Sequence, residues 1–204
     1  MKELTTYNRV AGYLNKMFDL LNTEFFENAL SRPTITIQST PRAYGHFSLR
    51  EDTWLSKLGG THELNIGAGT LGRNIEDVSA TLLHEMCHLY CYENGIKDTS
   101  RNYTYHNKRF RDVAESHGLI VKHHEKYGWG ITSPGDDLLD LVLSAGLTDI
   151  LIFRNEYSDL STGSIPPKKS SSRKYICPCC KNSVRATKVV NIACLDCQVP
   201  MMEA

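Results

Sequence analysis

The chain has 204 residues, enough for one medium domain and a small appendage, and its 23 basic and 23 acidic side chains cancel. No apolar run approaches the roughly 18 residues of a membrane span, and a first segment holding Glu3 and Asp19 has no long apolar core. A transmembrane protein and a secretory leader are therefore not expected, and the cytoplasm is the expected compartment.

In chain order, Val10, Leu14, Met17, Phe18, Leu21 and Phe25 recur at helical spacing through residues 7–29, before Pro33 closes the segment. Three short strands are predicted next, at Thr34–Gln38, Ala43–Leu49 and Glu63–Gly67, each β-branched or alternating and bounded by Pro, Gly or Asp. Asn74 then stands as an N-cap, with Asp77 three residues on. Ile75, Val78, Leu82, Met86 and Leu89 continue as an apolar helical stripe until Asn94-Gly95. A second helix is predicted from about His106 to His117, stopped by Gly118. A strand follows at Leu119–Val121, a helix at 136–144 and a strand at Ile150–Phe153. Helix, strands, then helix is an α+β order rather than the alternation of a doubly wound sheet.

The central helix contains His84-Glu85-Met86-Cys87-His88. Residues four apart share one side of a helix, so two imidazoles face one metal while Glu85 can handle the proton of a water beside it. This H-E-x-x-H pattern is that of zinc peptidases. Catalytic zinc usually takes three protein ligands, so a third donor is needed. The extended metzincin motif is excluded, because Cys91 and Asn94 stand where Gly and His are required. His106 is the preferred third ligand, placed at the start of the second helix with Phe110 and Val113 on its inward face; Glu93, Asp98 and Glu115 remain open. His117 lies too far along the same helix to share the ion and is expected to close the helix. Cys87 and Cys91 are expected to be small buried side chains, and His46, His62, His123 and His124 structural or surface residues.

Toward the C-terminus, residues 161–174 are rich in Ser, Pro, Gly and Lys and are expected to form a flexible linker. It would divide a catalytic domain of residues 1–160 from a zinc ribbon of residues 175–204. Cys177, Cys180, Cys194 and Cys197 form two C-x2-C knuckles, suited to a closed four-thiolate structural zinc with a hairpin across Ser183–Ile192. Cys179 is the odd thiol. Residues 161–204 carry seven basic side chains against two acidic ones, leaving 16 against 21 in the first 160. A basic tail on an acidic body points to a polyanion, with Lys168, Lys169, Arg173, Lys174, Arg185 and Lys188 as expected DNA contacts.

Leu14…Leu21-Asn22…Phe25-Phe26…Leu30, Tyr44-Gly45-His46-Phe47, Leu82-Leu83-His84-Glu85-Met86-Cys87-His88, Tyr105-His106-Asn107-Lys108-Arg109-Phe110, His117-Gly118-Leu119 and the ribbon cysteines together resemble the SprT-like family, to which Spartan-type proteases are related. That resemblance implies a zincin-like catalytic domain with His84, His88 and His106 on zinc and Glu85 as catalytic glutamate. It also implies a protein substrate bound to or crosslinked with DNA. The expected function is thus a zinc endopeptidase holding one catalytic and one structural Zn2+. The alternatives are a non-catalytic DNA- or protein-binding zinc protein and a transcription or mobile-element adaptor in which the ribbon is the working part. Substrate is expected to lie extended on an edge strand, with Glu63–Gly67 as the first choice. Tyr103, Tyr105 and Tyr127 are candidates for stabilising the oxyanion.

Overall fold

The computed structural model describes residues 3–40, 43–155 and 173–203. Apolar spacing produces the first helix, α1 (Tyr7–Phe26), which buries Val10, Leu14, Met17, Phe18 and Leu21. It stops three residues before the predicted end, because Glu27 and Asn28 adopt left-handed backbone at φ 53° and 61°. Strands β1 (Thr34–Gln38), β2 (Gly45–Phe47), β3 (Trp54–Ser56), β4 (Gly59–Thr61) and β5 (Glu63–Gly67) follow. β5 lies between β1, which it pairs in parallel, and β2, which it pairs antiparallel. Glu63–Gly67 is therefore the central strand, and β2 is an edge. β3 and β4 form a separate hairpin that has no counterpart among the predicted strands.

Helix α2 (Ile75–Glu93) runs through the interior with Val78, Leu82, Leu83, Met86 and Leu89 fully buried. Each side chain of that size contributes about 1.5–3 kcal/mol when removed from water. Leu64 and Ile66 of β5 join the same core. The expected Asn74 cap is not made by its side chain. Asp149 substitutes from far along the chain, its Oδ1 accepting the Ile75 N–H at 2.8 Å. A carboxylate there also faces the positive end of the helix dipole.

Next come β6 (Thr99–Ser100), β7 (Tyr105–His106), α3 (Lys108–Ser116), β8 (Leu119–His124), β9 (Gly128–Pro134) and α4 (Asp136–Ser144). The four strands order as β6-β7-β9-β8. His106 consequently sits in a strand and not at the start of α3. Asn107 intervenes as the N-cap, its Oδ1 accepting from Arg109 N at 2.8 Å and Phe110 N at 3.3 Å. Ile150–Phe153 is not a strand. It crosses as an extended strap, with Leu151 N–H donating to Leu4 O and Arg154 N–H to Ala68 O. No helix among the described residues is long and apolar enough to cross a membrane.

The chain divides into two compact units, Met1–Ser158 and Asp159–Ala204. In the second, β10 (Arg173–Ile176) is flanked by β11 (Ser183–Ala186) and β14 (Met202–Glu203), while β12 (Ala193–Cys194) pairs with β13 (Val199–Pro200). The predicted Ser183–Ile192 hairpin is not formed, because β11 folds back on β10 instead. Most of the expected linker, with Lys168 and Lys169, lies outside the described residues.

The distant cap is directly testable. Asp149→Ala should cost about 1 kcal/mol, a fall of about 2–4 °C in melting temperature, with Asn74→Ala much milder. Thermal unfolding followed by circular dichroism measures both; equal losses would place the cap at Asn74.

Candidate metal centre and active site

Three elements bring three imidazoles together. His84 and His88 lie one turn apart on α2, and β7 presents His106. Their Nε2 atoms are 3.2 Å apart (His84–His106), 3.2 Å (His84–His88) and 3.1 Å (His88–His106). Each ring turns its other nitrogen outward. His88 Nδ1 donates to Asp98 Oδ2 at 2.5 Å and His106 Nδ1 to the Tyr127 carbonyl at 3.4 Å, while His84 Nδ1 meets Thr132 Oγ1 at 3.0 Å. Carboxylate and carbonyl oxygens only accept, so the protons of His88 and His106 sit on Nδ1 and their Nε2 lone pairs point inward.

Lone pairs converging at that distance repel one another unless a cation lies among them. Tetrahedral zinc with Zn–N of about 2.05 Å sets neighbouring nitrogens about 3.3 Å apart, close to the spacing observed. Burial and the neighbouring rings hold His84 well below the ordinary imidazole value. Burial, followed by His88, takes His106 to about 4. Protons therefore compete weakly with a metal for these two nitrogens at neutral pH.

The rings are braced from several sides. Phe110, fully buried, packs its ring 4.6, 4.6 and 4.7 Å from those of His84, His88 and His106. A Cβ at Gly130 would come within 2.5 Å of His106 Nδ1, so glycine there lets β9 pass behind the ring. Asp98 is not one of the clustered donors; it sits behind His88. Burial raises its carboxyl, but the hydrogen bond and charge of His88 outweigh this and leave it below the usual carboxylate range. The other open candidates lie elsewhere: Glu93 accepts from the Ser31 backbone N–H at 3.1 Å, and Glu115 lies 3.9 Å from Arg111.

Glu85 is buried at 5 % exposure between α2 and edge strand β2. Tyr44 O and Ser48 N bond across to β5, so the backbone groups of Gly45 and Phe47 point away from it. The Phe47 backbone N–H favours the charged form of the Glu85 carboxyl. A Cβ at Gly45 would stand 3.0 Å from Glu85 Oε1 and 2.8 Å from Asn65 O, which explains glycine at that position. Burial, partly offset by His88, raises the Glu85 carboxyl to about 7, a value suited to taking and returning a proton. A cation at the imidazoles would pull it down again.

Cys177, Cys180, Cys194 and Cys197 bring their sulfurs within 4.8 Å of one another, and Cys179 is not among them. Cys180 and Cys194 Sγ are 3.7 Å apart, far beyond a disulfide and close to the roughly 3.75 Å edge of a tetrahedral Zn–S4 site. Backbone N–H donors of Cys180, with Cys179, draw the Cys177 thiol down to about 7. Four soft donors filling every vertex suit a structural zinc.

The remaining sequence candidates are accounted for individually. His117 closes α3, its Nδ1 donating to Val113 O at 2.7 Å, and stacks on Phe26 at 4.4 Å. Cys87 and Cys91 are fully buried, and burial raises both thiols. His62 is buried against Ser48 O, while His46, His123 and His124 are exposed. Of the three tyrosines, Tyr127 meets the cluster through its carbonyl, its ring stacking on His124 at 5.0 Å. Tyr105 bonds His123 at 3.3 Å, and Tyr103 is 70 % exposed. Arg173 pairs with Glu203 at 3.2 Å; Lys174 faces Arg185 across β10 and β11, and Lys188 is exposed.

Sequence patterns did not reveal a strip in the first unit where a row of aromatic rings is flanked by arginines. Arg101 lies 4.5 Å over Tyr105, Tyr105 reaches His123, His123 packs 4.9 Å from Trp129, and Arg111 lies 4.8 Å over Trp129. Its members are scattered across 29 residues, four elements and a loop, so no local motif announces them.

Asp98→Asn should keep the hydrogen-bond geometry but lose the charge behind His88, weakening zinc binding at the histidines about 10–100-fold. Competition with a chromophoric chelator measures it, the four-cysteine site serving as internal reference. Unchanged affinity would reduce Asp98 to packing.

Comparisons with curated proteins and with solved structures returned no match. The family model of the SprT-like family matches residues 14–125, which include α2, β7 and all three histidines but not the cysteine cluster. The first unit is thereby a metalloprotease-like domain, and the chain belongs to the SprT-like family.

Proposed function

We propose that this chain is a zinc-dependent endopeptidase with a zincin-like catalytic unit, acting on proteins bound to or crosslinked with DNA. The observation that carries the hydrolase reading is Glu85, a buried carboxylate held between three convergent imidazoles and the outward backbone of an edge strand. A purely structural metal site has no use for such a group.

His84, His88 and His106 would hold the catalytic ion, and the four cysteines a structural one. Zinc bound by three protein ligands lowers the pKa of water to about 7 and polarises a carbonyl. The chain's residues supply the rest. Glu85 accepts the proton of the attacking water and passes it to the leaving amine. The Phe47 backbone N–H favours the charged form of Glu85. The backbone groups of Gly45 and the carbonyl of Phe47, directed outward, pair with an extended substrate, the role first expected of Glu63–Gly67. Phe110 and the surrounding apolar core keep solvent from the back of the site.

Two features support a nucleic-acid partner. In the second unit Lys174 and Arg185 stand directly opposite one another, two basic side chains on one face of the ribbon as phosphate contacts require. In the first unit, the Arg101–Tyr105–His123–Trp129–Arg111 strip offers stacking faces flanked by cations, as single strands require. Arg111 is also bonded to Asp112, which lowers its share.

Two measurements test these assignments. Glu85→Gln should retain zinc yet lose at least about a thousandfold in turnover of an unfolded protein substrate, assayed with and without single-stranded DNA. Full cleavage by that variant would refute the mechanism; zinc binding with no cleavage by wild type would favour a non-catalytic binding protein. Removing residues 161–204 should weaken DNA binding and flatten its dependence on salt together. An unchanged salt slope in a titration would discard the tail as a contact.

A further inference from the structure

Between β2 and β5 the chain displays apolar side chains on a raised hairpin. Trp54 is 45 % exposed, Leu55 77 % and Leu58, at its tip, 100 %. Among the described residues β3 and β4 pair only with each other. An isolated two-stranded ribbon is marginal by itself, so its anchors matter. At the tip, Ser56 Oγ accepts the Leu58 N–H at 3.1 Å and donates to Gly59 O at 3.0 Å, and Gly59 supplies the left-handed φ of 125°. Leu58 is thus fixed outward by a bonded turn. At the base, Thr53 Oγ1 and Ser48 Oγ are 2.8 Å apart, and Tyr92 of α2 donates to Glu51 at 3.0 Å. The ribbon also lies close on the turn beneath it, since a Cβ at Gly60 would meet Glu51 O at 2.5 Å.

The anchor at Ser48 identifies what this surface adjoins. Ser48 is the residue after Phe47, at the end of edge strand β2, and His62 Nδ1 donates to its carbonyl at 2.9 Å. Extended chain advances about 3.3 Å per residue, so a polypeptide laid along β2 passes from Glu85 to the hairpin within a few residues. The hairpin therefore continues the edge that presents substrate backbone. Its own side chains offer no charge except Lys57 at the turn. Bulky, fixed, uncharged groups at that place favour an apolar side chain on an extended polypeptide over a charged one.

We propose that the Trp54–Thr61 hairpin is the specificity element of the substrate cleft, taking a bulky apolar side chain of an extended polypeptide several residues from the scissile bond. This rests on the assignment of β2 as the substrate edge. It makes the preferred substrate a locally unfolded segment, since folded surfaces rarely offer such side chains on extended chain.

The full-length Glu85→Gln protein, loaded with zinc, provides the test without cleavage. Labelled unstructured peptides carry one Leu moved stepwise along a Ser/Thr-rich background, and fluorescence anisotropy gives each Kd. Leu at one position, or two neighbouring ones, should tighten binding about tenfold or more. The gain should vanish in Leu55→Ser/Leu58→Ser, while peptides without Leu bind both backgrounds alike. Circular dichroism and zinc content verify that the double variant is folded. Equal Leu dependence in both backgrounds, or no peptide binding at all, overturns the proposal. So does a dimer, seen by sedimentation, that the double substitution dissolves, because the hairpin would then serve a second copy. Cleavage of an unfolded protein by the wild type separates these failures from failure of the hydrolase assignment.

Discussion

Three imidazole nitrogens face one another at 3.1–3.2 Å, and their mutual repulsion is the constraint around which the first unit is arranged. A bound cation turns that repulsion into attraction, and the surroundings keep the rings aimed until it does. Asp98, the Tyr127 carbonyl and Thr132 engage the outer nitrogens, while Phe110 presses on all three rings. These supports come from four separate elements or loops, so the cluster's geometry depends on the whole unit being folded. The four-cysteine cluster is a simpler case. There, local knuckles supply every donor, and a segment too small for an apolar core would gain its folding energy from a metal bound to them.

In the proposed mechanism the proton-handling group stands on the adjoining flank of α2. Glu85 is neighbour in sequence to His84 but is turned toward β2, where the Phe47 N–H and the missing Cβ of Gly45 admit it. In the proposed reading, proton handling and substrate pairing would share one strand, β2, which neighbours the carboxylate and is an edge of its sheet. The β3–β4 hairpin prolongs that edge with exposed apolar side chains. The motif histidines, the carboxylate and the exposed hairpin thus follow one another along α2, β2 and the segment after it.

Much of this was legible in the sequence because it is periodic or local. The stripe Val78, Leu82, Met86, Leu89 announces α2, and Thr34–Gln38, Glu63–Gly67 and residues 136–144 match their elements end to end. The two cysteine knuckles announce themselves by spacing. His106 clusters with the motif histidines from a two-residue strand and not from the predicted helix; so short a strand gives no periodic signal. Long-range devices were hidden for a physical reason. Asp149 caps a helix 74 residues earlier, and Glu63–Gly67 looks the same whether it is central or at an edge until its partners are known. Ile150–Phe153 has strand composition but satisfies its backbone by crossing Leu4 and Ala68 rather than by joining a sheet.

The central claim is that His106 completes a zinc site distinct from the cysteine cluster, and zinc stoichiometry tests it most directly. Elemental analysis of the purified full-length chain should give two zinc ions, and His106→Ala should give one. A wild-type value of one, or two ions persisting in the variant, would contradict the account.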